Sequence, residues 1–359
     1  MNDNATDATN NDIAALPWTL PAWQRVAGGL DALHHGLLIT GASGVAKREF
    51  AIALGQLLLC AEPSAQRACG RCRNCALFVA GTHPDFHLLT TELEWRDGRI
   101  ALAAQYCNRY QDVAARDKRA NPGKVIPVDQ VRLLIERFAV HAHSAPRKVA
   151  LIMPADRMNA NAANALLKLL EEPPADSFLI LVSALPGYLP ATVRSRCMQI
   201  AIAPPSRADA DEWLRARMPP AQVELALALA HGAPLDALQM HQDGFLESQR
   251  QFLRGIGALA AGKTDALELA AKFARHDFAQ WIDWLHRFGC DLIRARCAGA
   301  PPSLWWQREI QLDCARLPVE YLFALYDKIG YYRRIAREPL NAQLAAEELT
   351  LSLQRLLRT

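Results

Sequence analysis

The chain has 359 residues, of which 51% are hydrophobic and 21% are charged, and its formal net charge at pH 7 is +3. This composition excludes a disordered chain, and so small a net charge gives no support to a protein that coats nucleic acid. No apolar run approaches the roughly 20 residues of a membrane span. Residues 1–12 lack the basic start and apolar core of a signal peptide, so we expect a cytoplasmic protein without a membrane partner.

Apolar runs alternate with helical patterns over the first 203 residues, which predicts a parallel α/β sheet. Five of these runs have the length and bounds of core strands: Gly36–Thr40, Asp85–Leu89, Val149–Met153, Phe178–Ser183 and Met198–Ile202. Residues 91–124 carry mixed charge with weak periodicity, and they are interpreted as an insertion.

A Pro-Pro pair at 204–205 ends the α/β region, and the pattern is helical from there to the end of the chain. Ser206, with Asp209 three residues on, predicts the start of a helix. We therefore predict three domains, over residues 1–203, 204–245 and 246–359. Aromatic residues of the last domain are predicted to be mostly core, and the family resemblance described below implies that a few of them are interface anchors: Trp281, Trp284, Trp305, Trp306, Tyr321, Tyr326, Tyr331 and Tyr332.

A phosphate-binding loop is indicated at Gly41–Lys47, between the first predicted strand and a predicted helix over Lys47–Cys60. In such a loop, backbone N–H groups cradle phosphate and the lysine reaches it. A working loop has Gly before the lysine, and Ser or Thr after it to ligate Mg²⁺. This chain has Ala46 and Arg48 instead. We predict a vestigial loop, represented by Gly41, Gly44 and Lys47, and no bound nucleotide cofactor.

A P-loop ATPase also needs an acidic pair at the end of a later strand, to hold Mg²⁺ and to activate water. The predicted strand Val149–Met153 is followed by Pro154, and Asp156 is set back by three residues. Because two independent parts of the nucleotide site are missing, we expect the chain to hydrolyse no ATP of its own.

Four cysteines form the pattern C-x8-C-x2-C-x2-C, at Cys60, Cys69, Cys72 and Cys75. Four thiolates at about 2.3 Å complete the tetrahedral shell of Zn²⁺, and x2 spacings bend a short knuckle around the ion. Free thiols and two disulfides are the alternatives, and a reducing cytosol favours the metal over the disulfides. We predict a structural zinc module over residues 60–75.

Four features of the chain occur together in a characteristic order. The degenerate loop is followed by the cysteine knuckle, by Gly81–Asp85, by the run NALLKLLEEPP at Asn164–Pro174, and by Ser195-Arg196-Cys197. In this combination the chain resembles bacterial clamp-loader AAA+ subunits over nearly its whole length. Within that family the gamma/tau motor subunits keep working ATP sites, and the delta-prime type resembles them but carries a corrupted site. This chain is similar to the delta-prime type.

The resemblance implies a specific fold and role. It implies an N-terminal α/β AAA+ domain with a RecA-like parallel sheet, a small helical lid domain and an all-α C-terminal collar domain. Delta-prime subunits act as stators in a hetero-pentamer with gamma/tau motor and delta subunits. This assembly, part of the DNA-directed DNA polymerase III holoenzyme, places the beta sliding clamp on primed DNA. The arginine of the Ser-Arg-Cys motif, here Arg196, acts in trans on the neighbouring motor subunit's ATP.

Two other functions remain alternatives at this stage. One is an active gamma/tau-like motor subunit, against which Ala46, Arg48, Met153 and Pro154 speak. The other is a zinc-knuckle nucleic-acid-binding module, against which the modest net charge speaks.

Overall fold

The computed structural model describes residues 16–96, 103–111, 122–139, 145–274, 278–301, 304–307, 309–335 and 340–357. Part of the predicted insertion at 91–124 lies outside these ranges. Within them, no helix combines the length and the apolar character that crossing a membrane requires.

Five parallel strands form one sheet in the order β2-β3-β4-β1-β5. The strands are β1 (Gly36–Thr40), β2 (Phe86–Leu89), β3 (Lys148–Ile152), β4 (Ser177–Ser183) and β5 (Met198–Ala201). All five predicted strands are confirmed, each within one residue at either end. β1, β3 and β4 are the interior strands, and their nearly continuous burial explains why their sequences are apolar without alternation.

Helices cover both faces of the sheet in the first part of the chain. They are α1 (Leu20–Ala27), α2 (Lys47–Leu59), α3 (Arg73–Val79), α4 (Glu92–Arg96), α5 (Ala103–Cys107), α6 (Val128–Phe138), α7 (Ala160–Glu171), α8 (Ala191–Arg194) and α9 (Arg207–Arg215). Leu37 and Ile39 of β1 belong to the core formed with α2, whereas Leu38 belongs to the core formed with α6 and α7. The sheet is thus a central layer between two helical layers.

Helix starts in this region follow the capping chemistry that the sequence predicts. Ser206 Oγ accepts a hydrogen bond from Asp209 N at 3.1 Å, which confirms the predicted start of α9. Asn159 Oδ1 accepts one from Ala162 N at 2.8 Å at the start of α7. Each cap satisfies a backbone N–H that the helix itself leaves unpaired.

The rest of the chain is helical. Its helices are α10 (Pro220–Leu229), α11 (Pro234–Gln242), α12 (Phe245–Ala260), α13 (Ala266–Ala274), α14 (Phe278–Ala298), α15 (Leu304–Gln307), α16 (Val319–Ile335) and α17 (Ala342–Leu357). The described residues divide into two compact units, one running to Ala216 and including Gly232–Asp236, the other made of Arg217–His231 and the residues after Asp236. The division into three domains stays a prediction.

The second unit is held together by helix pairs. α13 and α16 each pack against α17, and α14 packs against α16. The four predicted core tryptophans are buried, but Tyr321 and Tyr331 are 53% and 52% exposed. Tyr321 and Tyr331 therefore lie outside the core, on the outer side of α16, and a role for a few of the aromatic residues as interface anchors stays a prediction.

Candidate functional site

The phosphate-loop candidate connects β1 to α2 and keeps an unusual backbone path. Gly44 and Ala46 both have positive φ angles, 66° and 73°. For a residue with a Cβ this left-handed conformation costs roughly 1–2 kcal/mol, whereas glycine adopts it freely. The alanine at position 46 therefore keeps a conformation that suits glycine, and the substitution by itself has not erased the loop.

Lys47, the lysine of the motif, is turned onto its own loop. Its side chain is buried, and Nζ donates a hydrogen bond to the Ala42 carbonyl oxygen. Burial lowers the pKa of Lys47, the neighbouring charge of Arg48 lowers it further, and Asp236 opposes the shift. Trp18 Nε1 donates to the Val45 carbonyl oxygen at 3.1 Å, which ties the loop to the N-terminal segment. Hydrogen bonds from Lys47 and Trp18 thus occupy two carbonyl oxygens of this loop.

Arg48 occupies the position at which a working loop has its magnesium-binding hydroxyl. It forms an ion pair with Glu94 of α4, with Nη2 and Oε2 2.6 Å apart, and both side chains are partly buried. A guanidinium has no oxygen atom, so the side chain at position 48 cannot ligate a cation. The residue has taken a structural role, joining α2 to the first helix of the predicted insertion.

The segment Ala233–Asp236 lies directly against Gly44. Leu235 N donates to the Gly44 carbonyl oxygen at 3.3 Å. A Cβ built on Gly44 would lie 2.5 Å from Asp236 Cγ and 2.7 Å from Ala233 Cβ. A short segment of the same compact unit therefore covers the loop at Gly44. This segment carries one carboxylate, that of Asp236.

We expect Gly44→Ala to lower the free energy of unfolding more than Gly232→Ala does. Gly232 also has a positive φ, 82°, but a Cβ there would meet nothing within 4 Å. Backbone strain should lower it by roughly 1–2 kcal/mol at either position, and overpacking adds about 1–3 kcal/mol at Gly44. Urea denaturation of both variants measures the difference. Equal losses of unfolding free energy in the two variants would mean that the segment Ala233–Asp236 does not clash with a Cβ at position 44.

The acidic half of a nucleotide site is also altered. β3 is followed directly by Met153 and Pro154, and Asp156 lies in a short 3-10 helix beyond them. Asp156 Oδ1 accepts hydrogen bonds from Ser183 Oγ at 2.5 Å and from Ala184 N at 3.2 Å. The carboxylate thus fixes the turn after β4, a contact that sequence reasoning missed.

The four clustered cysteines converge in space. The sulfur atoms of Cys60, Cys69, Cys72 and Cys75 all lie within 4.8 Å of one another, and those of Cys60 and Cys72 are 4.0 Å apart. A tetrahedral Zn–S shell of about 2.3 Å bonds puts its sulfurs about 3.8 Å apart. None of the nine cysteines of the chain forms a disulfide. The cluster therefore has a geometry that could hold a metal ion.

Backbone N–H groups already point at these sulfurs. Cys69 N donates to Cys60 Sγ at 3.2 Å, Cys72 N to Cys69 Sγ at 3.3 Å, and Cys75 N to Cys72 Sγ at 3.4 Å. Burial alone would raise the pKa of Cys72, but the backbone N–H donors of Cys75 and Ala61, together with the thiols of Cys75 and Cys69, bring that pKa down to about 6. Burial raises the pKa of Cys75. Donors of this kind orient thiolates for a metal.

Arg196 lies far from the phosphate loop, between α8 and β5. It follows α8 and precedes Met198, the first residue of β5, so it sits at the amino ends of the strands. The phosphate loop follows β1 and sits at the carboxyl ends. Four rises of about 3.3 Å along β1 separate the two edges by roughly 13 Å. The sheet therefore stands between Arg196 and the loop of its own chain.

In this structure Arg196 is part of an ion pair on the surface. Its Nη2 atom lies 2.6 Å from Glu171 Oε1, and the two side chains are 37% and 49% exposed. Its Nη1 atom donates to the Thr192 carbonyl oxygen at 3.0 Å. Sequence reasoning missed Glu171 as a partner, although the residue lies within the NALLKLLEEPP run that carries the family resemblance.

The parallel sheet, the phosphate loop after its first strand and the helical C-terminal region are those of a AAA+-like protein. A family model described as "DNA polymerase III, delta subunit" matches residues 25–206, and one described as "DNA polymerase III, delta subunit, C terminal" matches residues 243–355. The chain belongs to the family of DNA polymerase III delta-prime subunits.

Relatives of known name agree with this assignment. A DNA polymerase III subunit delta' of Pseudomonas aeruginosa is 36% identical over 77% of this chain and 77% of that protein. The subunit delta' of Escherichia coli is 31% identical over 77% of this chain and 76% of that protein. A subunit tau/gamma of Haemophilus influenzae is 27% identical, over 67% of this chain but 32% of that protein.

One solved structure supports the fold alone. A DNA polymerase III gamma subunit-related protein of Thermotoga maritima matches with a TM-score of 0.51 at 17% identity, covering 95% of this chain and 100% of that one.

Proposed function

We propose that this chain is a delta-prime-type stator of a cytoplasmic clamp loader. Its partners would be gamma/tau motor and delta subunits in a hetero-pentamer that places the beta sliding clamp on primed DNA. The proposal includes an α/β AAA+ domain over 1–203, a helical lid over 204–245 and a helical collar over 246–359. Family membership supports this role, and the chemistry of its own phosphate loop supports the stator over the motor.

The observation that carries the stator role is the ion pair of Arg48 with Glu94. Magnesium bound to nucleotide needs oxygen ligands from the protein or from water, and a guanidinium supplies none. Asp156, the nearest carboxylate after β3, is set back by three residues and accepts a hydrogen bond from Ser183, so the acidic half of the site departs from that of a working ATPase as well. The chain's own contribution to ATP hydrolysis would therefore be made at another subunit's site.

Arg196 is the residue through which we propose that contribution. The guanidinium is always charged and presents a planar fork that fits phosphate oxygens. Its place at the edge of the sheet opposite its own loop favours action on a neighbouring subunit's ATP. The ion pair with Glu171 is no obstacle, since exposed pairs of this kind contribute only about 0.2–1 kcal/mol.

The cysteine cluster is proposed to hold one structural Zn²⁺. Four thiolates leave no open position, so the ion would stabilise the module and would not take part in the chemistry. The module is well placed to support α2, because Asn74 Nδ2, beside Cys75, donates to the Leu59 carbonyl oxygen at 3.0 Å.

Reconstitution tests the stator role. We expect the isolated chain to show no magnesium-dependent ATP hydrolysis, with or without primed DNA. An assembly of motor and delta subunits that lacks this chain should fail to load the clamp, and adding the chain back should restore loading. DNA-stimulated turnover by the isolated chain would instead support the motor alternative. Tight DNA binding by the isolated chain, lost on zinc removal, would support the nucleic-acid-binding alternative.

A further inference from the structure

The guanidinium of Arg196 is held by two acceptors, the carboxylate of Glu171 and the carbonyl oxygen of Thr192. Glu171 ends α7, and its Oε1 atom lies 2.6 Å from Arg196 Nη2. Thr192 belongs to α8, and its carbonyl oxygen accepts a hydrogen bond from Arg196 Nη1 at 3.0 Å. Because the two acceptors lie on different helices, they together favour one orientation of the guanidinium before any other molecule approaches it.

Both residues of the pair stand on rigid backbone. His35 Nε2 donates to the carbonyl oxygen of Leu170, next to Glu171, at 2.8 Å. A Cβ built on Gly36, the first residue of β1, would lie 2.9 Å from the Arg196 carbonyl oxygen and 3.0 Å from Leu170 Cδ2. The start of β1 is thus packed against both sides of the pair.

The pair also leaves most of the guanidinium's hydrogen-bonding capacity unused. Arginine has five N–H donors, and contacts to Glu171 and Thr192 engage one on each terminal nitrogen. The remaining donors of Arg196 have no partner among the residues that the structure describes. Two or more donors in one plane are what bidentate recognition of phosphate oxygens requires.

We propose that Glu171 is a positioning residue for Arg196, holding its guanidinium in one orientation with the spare N–H groups free for a phosphate. This inference rests on the proposed action of Arg196 on a neighbouring subunit's ATP. Glu171 itself touches no reacting atom. Its effect on rate should therefore match the size of an exposed ion pair, about two- to five-fold, and not that of a catalytic group.

The test uses the reconstituted assembly with clamp and primed DNA, after size-exclusion chromatography has shown that each variant assembles. Glu171→Ala should lower ATP hydrolysis at the neighbouring motor subunit's site about two- to five-fold, so the total turnover of the assembly should fall by a smaller factor, with KM for ATP unchanged because the motor subunit's own loop binds the nucleotide. Glu171→Gln keeps an acceptor oxygen and should recover part of the loss. Glu172→Ala is the matched control, since Glu172 is the adjacent exposed glutamate and forms no ion pair among the described residues, and it should behave as wild type.

A double-mutant cycle separates positioning from general destabilisation. On an Arg196→Ala background, Glu171→Ala should have no further effect, because positioning acts only through the arginine. Equal losses on both backgrounds overturn the inference. Unchanged or raised turnover in Glu171→Ala, with Arg196→Ala clearly impaired, overturns it too but leaves the role of Arg196 intact. If the assembly with Arg196→Ala hydrolyses ATP at the wild-type rate, the proposed action of Arg196 is wrong, and the inference about Glu171 is wrong with it.

Discussion

Cys75→Ala is expected to abolish stoichiometric zinc binding and to lower the free energy of unfolding by more than about 4 kcal/mol, the size typical of losing a structural metal. Zinc binding contributes roughly 10–16 kcal/mol to the folding of small modules. Cys75 is only 1% exposed and its sulfur lies within 4.8 Å of the other three. Removing it therefore leaves a partial shell that cannot hold the ion tightly.

The matched control for this variant is Cys107→Ala. Cys107 is also 1% exposed, but it lies outside the cluster. We expect it to keep one equivalent of zinc and to lose only the packing of one sulfur. Metal content by mass spectrometry and urea denaturation with and without a chelator give both quantities. A wild-type chain purified without zinc, and insensitive to chelators, would contradict the zinc proposal.

Arg196→Ala is expected to slow ATP hydrolysis at the neighbouring motor subunit's site by about 10³–10⁵-fold, the effect of an arginine supplied in trans to P-loop NTPases. This corresponds to about 4–7 kcal/mol of transition-state stabilisation. Total turnover of the assembly should fall clearly but need not vanish, because other motor sites remain. The measurement is clamp- and DNA-stimulated hydrolysis by the reconstituted assembly.

Two further variants make this result specific. Arg196→Lys keeps the charge but loses the planar fork, so we expect it to behave more like the alanine variant than like wild type. Arg215→Ala removes another exposed arginine, ion-paired with Asp211, and should leave turnover unchanged. Full activity in an Arg196→Ala assembly would mean that Arg196 only forms its ion pair with Glu171. The chain would then serve only as a scaffold.

The sheet and the cysteine cluster could be predicted because their signals are local. Leu37–Ile39 and Leu179–Val182 are unbroken apolar runs, as expected for strands buried on both faces. The three cysteines of the C-x2-C-x2-C stretch are close in the sequence, so their spacing alone brings the thiols together. The apolar runs and the cysteine spacing are thus both visible in residues that lie only a few positions apart.

The contacts that occupy the phosphate loop could not be predicted, because their partners are distant in the chain. Glu94 is 46 residues from Arg48, and nothing in its surroundings marks it as a partner. Asp236, which lies against Gly44, is 192 residues from it in the sequence. Which aromatic residues of α16 are exposed could not be predicted either, because the residue type alone does not tell which side of a helix faces the core.

The ion pair of Arg48 with Glu94 has a consequence for any attempt to build a working nucleotide site into this loop. Changing Arg48 to threonine would leave the Glu94 carboxylate, only 19% exposed, without its cation. An unpaired, partly buried charge of this kind costs about 1–3 kcal/mol, and the single substitution still lacks an acidic residue at the end of β3. The threonine variant would therefore lose stability before it gained any part of ATP hydrolysis.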